Sequence, residues 1–268
     1  MTHAHAAGIM AFLPLRGIPM NDSVSLLIHG ANGRMGQALM RLCAAEAGCH
    51  VVAAVSRRPP AQRVVDGVAH IAASEMNAAP DFGVAIDFSL PEAFDALLAM
   101  AESRGVPLVS GTTGLDEAQR RRMAEAATRI PVLWASNFSI GVAVLHALVR
   151  QAAAALPGWD CDIIEMHHTR KLDAPSGTAL TLGAKAAEGG AEPRYAAIRA
   201  GDIVGEHCVQ FAGQGERIEL VHRASNRDIF ALGALRAARW LASKPAGLYA
   251  IADLVAEHSG LDSDAHRG

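Results

Sequence analysis

The residues best suited to chemistry lie in one stretch, Glu165 to Ala179, which reads EMHHTRKLDAPSGTA. It combines two adjacent histidines, His167 and His168, with a lysine, Lys171. Histidine side chains exchange protons near neutral pH, and a lysine ammonium offers three hydrogen-bond donors to an anion. The residue types therefore predict proton transfer beside a negatively charged ligand.

The end of the same stretch has the features of a helix start that binds anions. Ser176 is a favourable N-cap residue, and the residues after it, to about 188, are helical in pattern. The backbone N–H groups of Gly177 and Thr178 would then lack partners within the helix and would carry its partial positive charge. Such a site suits a carboxylate or a phosphate. A capped surface helix behind a basic loop is the alternative interpretation.

A second candidate site follows the first apolar strand, predicted over Val24 to His29. Residues Gly30 to Gly36 read GANGRMG, and an amphipathic helix is predicted over about Gln37 to Ala47. Strand, glycine turn and helix in this order are the context of a dinucleotide-binding loop, in which glycines let the backbone approach a pyrophosphate. The spacing is GxxGxxG rather than GxGxxG, so the motif draws its specificity from this context.

The end of the second predicted strand, Val51 to Val55, bears on the choice of cofactor. NAD-selective folds usually place an acidic residue there to bind the ribose hydroxyls. Here Ser56 is followed by two arginines, Arg57 and Arg58. Because arginine can pair with a 2′-phosphate, the sequence predicts that NADPH is accepted and preferred over NADH. A solvated Arg-Arg turn is the alternative.

The elements that must position these residues alternate between strand and helix as far as about residue 138. Strands are predicted at 83–89, 107–110 and 132–135, and helices at 91–103 and 116–129. This alternation is typical of a parallel, doubly wound sheet, in which ligands bind at the carboxyl ends of strands. The polar strand ends at 87–89, 111–113 and 136–138 should therefore outline one crevice with the Gly30 loop.

The pattern changes after Gly141. A helix over about 142–156 leads to the histidine stretch, and strand-like runs then follow one another without intervening helices, at 195–199, 203–211 and 217–223. Such a succession suggests an antiparallel or mixed sheet in a second domain. Helices predicted at 228–241 and 248–257 would return to the first domain and cover it. We therefore predict an α/β fold with a Rossmann-like doubly wound parallel sheet and a smaller mixed-sheet α/β domain.

The composition excludes several functional classes. The formal net charge is −3 and no run of Lys and Arg forms a polybasic arm, so no nucleic-acid partner is predicted. Four cysteines show neither paired disulfide spacing nor a CxxC metal motif, which favours a reducing cytoplasm. No segment is a transmembrane candidate. No metal is predicted either, because adjacent histidines rarely bind one ion.

These motifs resemble those of the bacterial dihydrodipicolinate reductase family, also called 4-hydroxy-tetrahydrodipicolinate reductases. The matching segments are Gly30–Gly36, Ser110–Gly114, Glu165–Ala179, Arg199–His207 and His222–Arg227. The resemblance spans about residues 24–257. It implies an NAD(P)H-dependent oxidoreductase that reduces 4-hydroxy-tetrahydrodipicolinate to tetrahydrodipicolinate in lysine and diaminopimelate biosynthesis. It also implies a cytoplasmic homotetramer.

The resemblance further implies roles for individual residues. His167 and Lys171 would be catalytic, and the substrate would be bound by His168, Lys171, Gly177 and Thr178. The implied cofactor-binding residues are Gly30, Ala31, Asn32, Gly33, Arg34, Met35, Ser56, Arg57, Gly111, Thr112, Thr113, Ala135, Ser136, Asn137 and Phe138.

The predicted division of the chain combines these patterns with the resemblance. Residues 1–22 fit none of the elements, have no counterpart in the family and are predicted to be a disordered extension. Residues 23–138 and 240–268 would form the dinucleotide-binding domain, and 139–239 the substrate-binding and oligomerisation domain. The sequence departs from the family pattern at two places. The acid that often follows the second strand is missing, and Ala250 stands where relatives usually carry aspartate.

Two other functions remain open from the residues alone. One is another NAD(P)-dependent reductase of a small dicarboxylate, which would leave the HHxxKxDxPSGT series unexplained. The other is a non-enzymatic NAD(P)H-sensing module, which predicts a nucleotide pocket without proton-transfer groups, or a DNA-binding segment.

Overall fold

The structure, a computed structural model, describes residues 23–45 and 48–259. The predicted disordered extension at 1–22, the end of the first predicted helix at Ala47 and the last part of the dinucleotide-binding domain, 260–268, lie outside the described residues.

The larger layer is a sheet of apolar strands. Its strands are β1 (Val24–His29), β2 (Cys49–Ser56), β3 (Val64–Val65), β4 (Val68–Ala72), β5 (Val84–Asp87), β6 (Leu108–Ser110), β7 (Pro131–Trp134) and β12 (Gly247–Tyr249). They lie in the order β12-β7-β6-β5-β1-β2-β4-β3, and every neighbouring pair is parallel except β3–β4. This confirms the predicted parallel sheet.

Helices cover both faces of this sheet, so apolar side chains of its central strands are buried on both sides. The helices α1 (Arg34–Cys43), α6 (Asp228–Leu241) and α7 (Ile251–Ser259) pack with Leu26 and Ile28 of β1. On the opposite face, α2 (Pro91–Arg104) and α3 (Glu117–Ala126) pack with Leu27. All three β1 side chains are fully buried. The fold is therefore doubly wound, with the strand ends free to bind a ligand.

The smaller layer is a four-stranded mixed sheet, as predicted. It contains β8 (Asp160–His167), β9 (Pro193–Arg199), β10 (Glu206–Gly213) and β11 (Glu216–Arg223), in the order β11-β10-β8-β9. The β8–β9 pair is parallel and the other two pairs are antiparallel. Two helices, α4 (Ile140–Ala155) and α5 (Gly177–Glu188), pack on one face through a core that includes Ile163 and Phe211.

One difference from the prediction lies between β2 and β5. The sequence analysis assigned no element there, yet β3 and β4 form a hairpin that extends the sheet beyond β2, followed by a short 3₁₀ helix at Ala73–Ala78. Asp66 and Gly67 make the turn with φ of 49° and 80°. An Asp-Gly pair between valine-rich runs favours such a turn, so this signal was present in the sequence.

A second difference lies near the carboxyl end of the chain. The prediction of a helix from Leu248 was wrong for its first turn, because Gly247–Tyr249 pairs with β7 as an edge strand. Helix α7 begins only at Ile251. Its start is stabilised by Asp253, whose Oδ2 accepts a hydrogen bond from the N–H of Ala250 at 2.7 Å. Asp253 therefore provides an acceptor for the backbone N–H of Ala250, the position at which the sequence departs from the family.

The predicted domain boundary between residues 239 and 240 falls within helix α6, and this boundary stays a prediction. The buried residues of α6, including Ala231, Ala234 and Ala238, join the core of the large sheet rather than that of the small sheet. Among the described residues, no helix is both long and apolar enough to cross a membrane.

Candidate active site

The glycine loop between β1 and α1 lies very close to neighbouring backbone. Gly30 has a φ of 79°, and a Cβ at this position would lie 2.5 Å from the carbonyl oxygen of Phe88. A Cβ at Gly36 would lie 2.3 Å from the carbonyl oxygen of Gly30. Only glycine fits at both positions, and the loop is thereby held tightly against the start of α1.

The start of α1 fits the diphosphate of a dinucleotide. Gly33 is the N-cap residue, and no side chain among the described residues caps the helix. The N–H groups of Arg34 and Met35 therefore have no acceptor within the helix and carry its partial positive charge. Together with the close-packed glycines, they form the kind of anion site that phosphate groups occupy.

A cavity of about 360 Å³ lies at the end of β2, beside this loop. It is lined by Asn32, Ser56, Arg57 and Arg58, none of which is acidic. The Asn32 side chain donates a hydrogen bond to the carbonyl oxygen of Arg58 at 2.8 Å and so links the loop to the strand end. Both arginines are exposed, and Ser56 is buried. The cavity suits a ribose with or without a 2′-phosphate.

Asp87, at the end of β5, connects several strand ends beneath the glycine loop. Its buried carboxylate contacts His29 Nδ1 at 2.9 Å and accepts hydrogen bonds from the hydroxyls of Ser110 (2.9 Å) and Thr112 (2.8 Å) and from the N–H of Ser89 (3.1 Å). Burial alone would raise the pKa of Asp87, but the hydrogen bonds and the His29 ring outweigh it and the pKa is lowered. The ionised carboxylate thus fixes the ends of β1, β5 and β6.

The other predicted cofactor residues lie at the neighbouring strand ends around Phe88. A Cβ at Gly111 would lie 2.2 Å from the Phe88 ring, and the Phe138 ring lies 5.3 Å from it between centroids. The Trp134 indole donates to the carbonyl oxygen of Thr112 at 2.9 Å. Of the remaining positions, Ala31 and Ala135 are buried, and Thr113 and Ser136 are exposed.

A second group of polar residues is centred on β8. Glu165 and His167 lie on the same face of this strand, because side chains two residues apart point the same way. Glu165 is fully buried, and its Oε2 lies 2.5 Å from His167 Nδ1. Arg199 of β9 donates to both carboxylate oxygens, at 2.6 and 2.9 Å, and the N–H of Ser176 donates to Oε1 at 3.1 Å.

The charges in this group are set by burial and by these contacts. Burial favours neutral Glu165, but the hydrogen bonds from Arg199 and His167 outweigh it and lower its pKa. Burial lowers the pKa of His167, and Glu165 only partly opposes this effect. Burial also lowers the pKa of His207, which is about 4. At neutral pH the group therefore contains ionised Glu165 and Arg199 with neutral imidazoles.

Two further residues border the His167 ring. The His207 ring packs against it edge-on, with 5.2 Å between centroids, and His207 Nε2 lies 3.2 Å from the Ser176 hydroxyl. On another side, a Cβ built at Gly205 would lie 3.0 Å from His167 Nε2. The ring is therefore confined, while about a tenth of its side-chain surface stays exposed.

The start of α5 is capped by the residue that the sequence predicted. The Ser176 hydroxyl accepts a hydrogen bond from the N–H of Ala179 at 3.2 Å, so the predicted N-cap is confirmed. A Cβ at Gly177 would meet no atom of the described residues within 4 Å, so space is open beside the first turn. Lys171 Nζ contacts Asp173 Oδ1 at 2.8 Å, and its positive charge contributes to lowering the pKa of His167. His168 Nδ1 is buried without a hydrogen-bond partner among the described residues.

One hydrogen bond joins the two groups of predicted residues. Asn137, after β7, donates from Nδ2 to the Thr178 hydroxyl at 3.2 Å, and its own Oδ1 accepts from the N–H of Ser139 at 2.8 Å. The strand ends of the large sheet and the start of α5, which follows the histidine group, therefore lie against each other. Residues suited to a nucleotide thus adjoin residues suited to an anion, and His167 lies between the buried carboxylate of Glu165 and its own exposed edge.

No individual role was predicted for Glu165, Arg199 or Gly205, and Asp87 was predicted only as part of a polar strand end that borders the crevice. For Glu165 a signal was present, because it precedes His167 by two residues in a strand and must share its face. Arg199 lies 34 residues away from Glu165, and nothing in the local pattern pairs them.

Comparisons with known proteins agree with this geometry. Family models described as dihydrodipicolinate reductase, N-terminus and C-terminus, match residues 24–138 and 141–255. A protein of Xanthomonas campestris pv. campestris (strain B100) named 4-hydroxy-tetrahydrodipicolinate reductase is 65% identical over 232 residues, which cover 87% of this chain and 98% of that protein. A protein of the same name from Stenotrophomonas maltophilia (strain R551-3) is 67% identical over 238 residues, 88% of this chain and all of that protein.

Among solved structures, one of dihydrodipicolinate reductase from Paenisporosarcina sp. TG-14 with dipicolinate bound has a TM-score of 0.67. It is 22% identical, and the match covers 85% of this chain and 97% of that one. At this identity the likeness concerns the fold.

Proposed function

The chain belongs to the dihydrodipicolinate reductase family, and on that premise we propose that it reduces 4-hydroxy-tetrahydrodipicolinate to tetrahydrodipicolinate in lysine and diaminopimelate biosynthesis. It is an oxidoreductase that uses a nicotinamide cofactor. The observation that best supports the proposal is the hydrogen bond from Asn137 to Thr178, because it joins a residue of the proposed dinucleotide site to one of the proposed anion site.

The cofactor would be held by the glycine loop, the first amides of α1 and the strand ends at Gly111-Thr112 and 135–138. The 4-hydroxyl group would first leave as water to give a conjugated cyclic imine. When bound, the reduced nicotinamide would supply the hydride that C4 of this imine accepts, so that electron density moves toward the ring nitrogen. The Phe88 and Phe138 rings, which pack together at the strand ends, would lie beside this part of the cofactor.

The substrate is a small cyclic dicarboxylate, like the dipicolinate bound in the Paenisporosarcina relative. We assign one carboxylate to the N–H groups of Gly177 and Thr178, which are unpaired within α5. The other carboxylate would contact His168 and Lys171. Lys171 now pairs with Asp173, an exposed acid, and would exchange it for the substrate carboxylate.

His167 would deliver the proton that completes the reduction. Its Nδ1 contacts Glu165, so Nε2 is the nitrogen available to the cleft. Burial keeps the pKa of His167 low in the free protein, and a bound dianion would raise it because negative charge stabilises the imidazolium. The proton would therefore be taken up as the substrate binds. A positioned donor of this kind contributes roughly 10²- to 10⁴-fold to the rate.

The preference for NADPH, the homotetramer and the cytoplasmic location are also proposals. Arg57 and the lack of an acid in the ribose cavity support NADPH. For the tetramer, the open face of the small sheet carries Ile198 and Val221, which are 44% and 41% exposed, and such a face supports assembly between copies.

The function is tested by following nicotinamide absorbance with the product of the synthase reaction that precedes this step. We expect oxidation only when that product is added, with a higher kcat/KM for NADPH than for NADH. The variant Arg57→Ala should lower kcat/KM for NADPH by about ten- to a hundredfold, since a hydrogen bond to a charged group contributes about 1.5–3 kcal/mol.

In the same assay NADH should be little affected by Arg57→Ala, and Arg63→Ala, which removes an arginine paired with Glu75 outside the cavity, should leave both cofactors unchanged. Cofactor binding without turnover would support a sensing module instead. Turnover of another dicarboxylate but not of the synthase product would support a different reductase.

A further inference from the structure

We propose that Glu165 is the positioning residue of the active site: held by Arg199 and by the start of α5, it orients His167 and determines which ring nitrogen carries the proton. The inference rests on the proposed function, because it takes His167 as the proton donor.

In the neutral His167 ring, the contact with Glu165 determines which nitrogen carries the proton. An ionised carboxylate only accepts hydrogen bonds, so the 2.5 Å contact with Glu165 Oε2 requires a proton on His167 Nδ1. Arg199 is always charged and pairs with both oxygens, which keeps the carboxylate ionised. In the neutral ring, Nε2 then carries an available lone pair, and this nitrogen gains and loses the transferred proton.

The orientation of the ring depends on how Glu165 is held. Glu165 is fully buried, and its two oxygens accept two hydrogen bonds from Arg199, one from the N–H of Ser176 and one from His167. Arg199 is fixed in turn, because it also donates to the carbonyl oxygens of Asp173 (2.5 Å) and Ile198 (2.7 Å). A carboxylate held on so many sides cannot rotate without breaking several contacts, so the imidazole bound to it is held as well.

Glu165 also links the proton donor to the anion site. Ser176, whose N–H binds Glu165, is also the N-cap residue of α5, and the next two amides are those assigned to the substrate carboxylate. One buried carboxylate therefore sets both the direction of His167 and the place where α5 begins. Their separation is fixed before a substrate binds, which is the condition for efficient proton transfer.

The test is Glu165→Gln, which keeps the shape of the side chain. A glutamine amide can turn its NH₂ group toward Nδ1, which then accepts, and the proton moves to Nε2. We expect kcat to fall about 10²- to 10⁴-fold, as is general when a proton-transfer group loses its proper state. The KM for the substrate and the affinity for NADPH should change far less. Glu165→Asp, which keeps the charge, should recover part of the lost turnover.

Nitrogen NMR of 15N-histidine-labelled protein gives a readout that a merely structural role would not move. The resonances of His167, assigned with the help of His167→Ala, should show the neutral ring protonated at Nδ1 in the wild type and at Nε2 in Glu165→Gln. A wild-type ring protonated at Nε2 would overturn the proposal even if the variant does not fold.

The matched control is Asp162→Asn. Asp162 lies on the same strand and forms an equivalent pair with Arg194 of β9, at 2.7 and 2.9 Å, but on the opposite face of the sheet and away from His167. The variant Asp162→Asn should leave turnover and the His167 resonances unchanged. Equal losses from both variants would reduce Glu165 to a general structural role and contradict the proposal.

The same experiment separates the two claims. If His167→Ala retains turnover, the proposed proton donor is wrong. If His167→Ala loses turnover while folded Glu165→Gln keeps it, the donor stands and the positioning role of Glu165 is wrong.

Discussion

The side of the His167 ring that holds Nε2 faces Gly205, and this small residue leaves the nitrogen accessible. A Cβ at Gly205 would lie 3.0 Å from Nε2, closer than such contacts normally are, so the ring would have to shift by a few tenths of an ångström. Gly205→Ala should therefore disturb the donor without removing it. Because even a misplacement of about 1 Å can cost a hundredfold in rate, we expect kcat to fall about tenfold.

The measurement is steady-state kinetics alongside thermal unfolding. The affinity for the cofactor and the unfolding temperature should stay near those of the wild type. Gly83→Ala is a suitable control, since a Cβ there would meet its nearest atom at an ordinary 3.4 Å. Full activity in Gly205→Ala would mean that the Gly205 side of the ring is not used.

Some individual residues of the site could be predicted from the sequence and others could not. Ser176 was predicted as the N-cap from the local pattern, and the structure confirms it. Glu165, the direct partner of His167, lies two residues away on the same strand. The groups that hold Glu165 and border His167 come from β9, β10 and the α5 start, and they were not predicted because their contacts depend on tertiary packing. A short motif can identify the reacting groups, whereas the residues that orient them need not be near them in the chain.

At the scale of elements, Asp87 connects three strand ends, and the site depends on their alignment. Asp87→Asn should lower the free energy of unfolding by about 3 kcal/mol, because removing one partner of a buried charge network leaves the other groups unpaired. The donors from Ser110, Thr112 and Ser89 would face an amide that offers a single acceptor oxygen. Denaturant unfolding measures this loss.

The Asp87→Asn variant should also bind NADPH more weakly, since the strand ends that carry the proposed cofactor residues would lose their common anchor. Glu75→Gln, which removes an exposed ion pair with Arg63, should cost less than about 1 kcal/mol. If Asp87→Asn were as stable as the wild type, Asp87 would not act as the link between the strand ends.

The elements themselves were largely predictable where periodicity is strong. Strand β1 and helix α6 have the predicted bounds, because each buries a regular apolar pattern. Strand β12 was missed because it has three residues and owes its conformation to the free edge of β7. The β3–β4 hairpin was missed although Asp66-Gly67 gave a local signal, since both runs are short.

At the scale of the whole molecule, the proposed function requires two separately recognisable sites to meet in one cleft. The sequence predicted a dinucleotide loop and an anion site, and the polar strand ends were expected to form a crevice with the loop. That the histidine group lies against this crevice followed only from the resemblance, because it depends on how the small sheet is placed on the large one. The Asn137–Thr178 hydrogen bond is the contact that supports it.

The most direct test of the account measures turnover and NADPH affinity in His167→Ala and Lys171→Ala. Because we assign both residues to the substrate side of the proposed cleft, kcat should fall roughly 10²- to 10⁴-fold while the Kd for NADPH stays close to that of the wild type. Two controls match the substitutions: His50→Ala, an exposed histidine bound to Ser23, and Lys185→Ala, a lysine paired with Glu188.

The account predicts that both controls turn over like the wild type and that both cleft variants do not. A His167→Ala protein with wild-type turnover would contradict it.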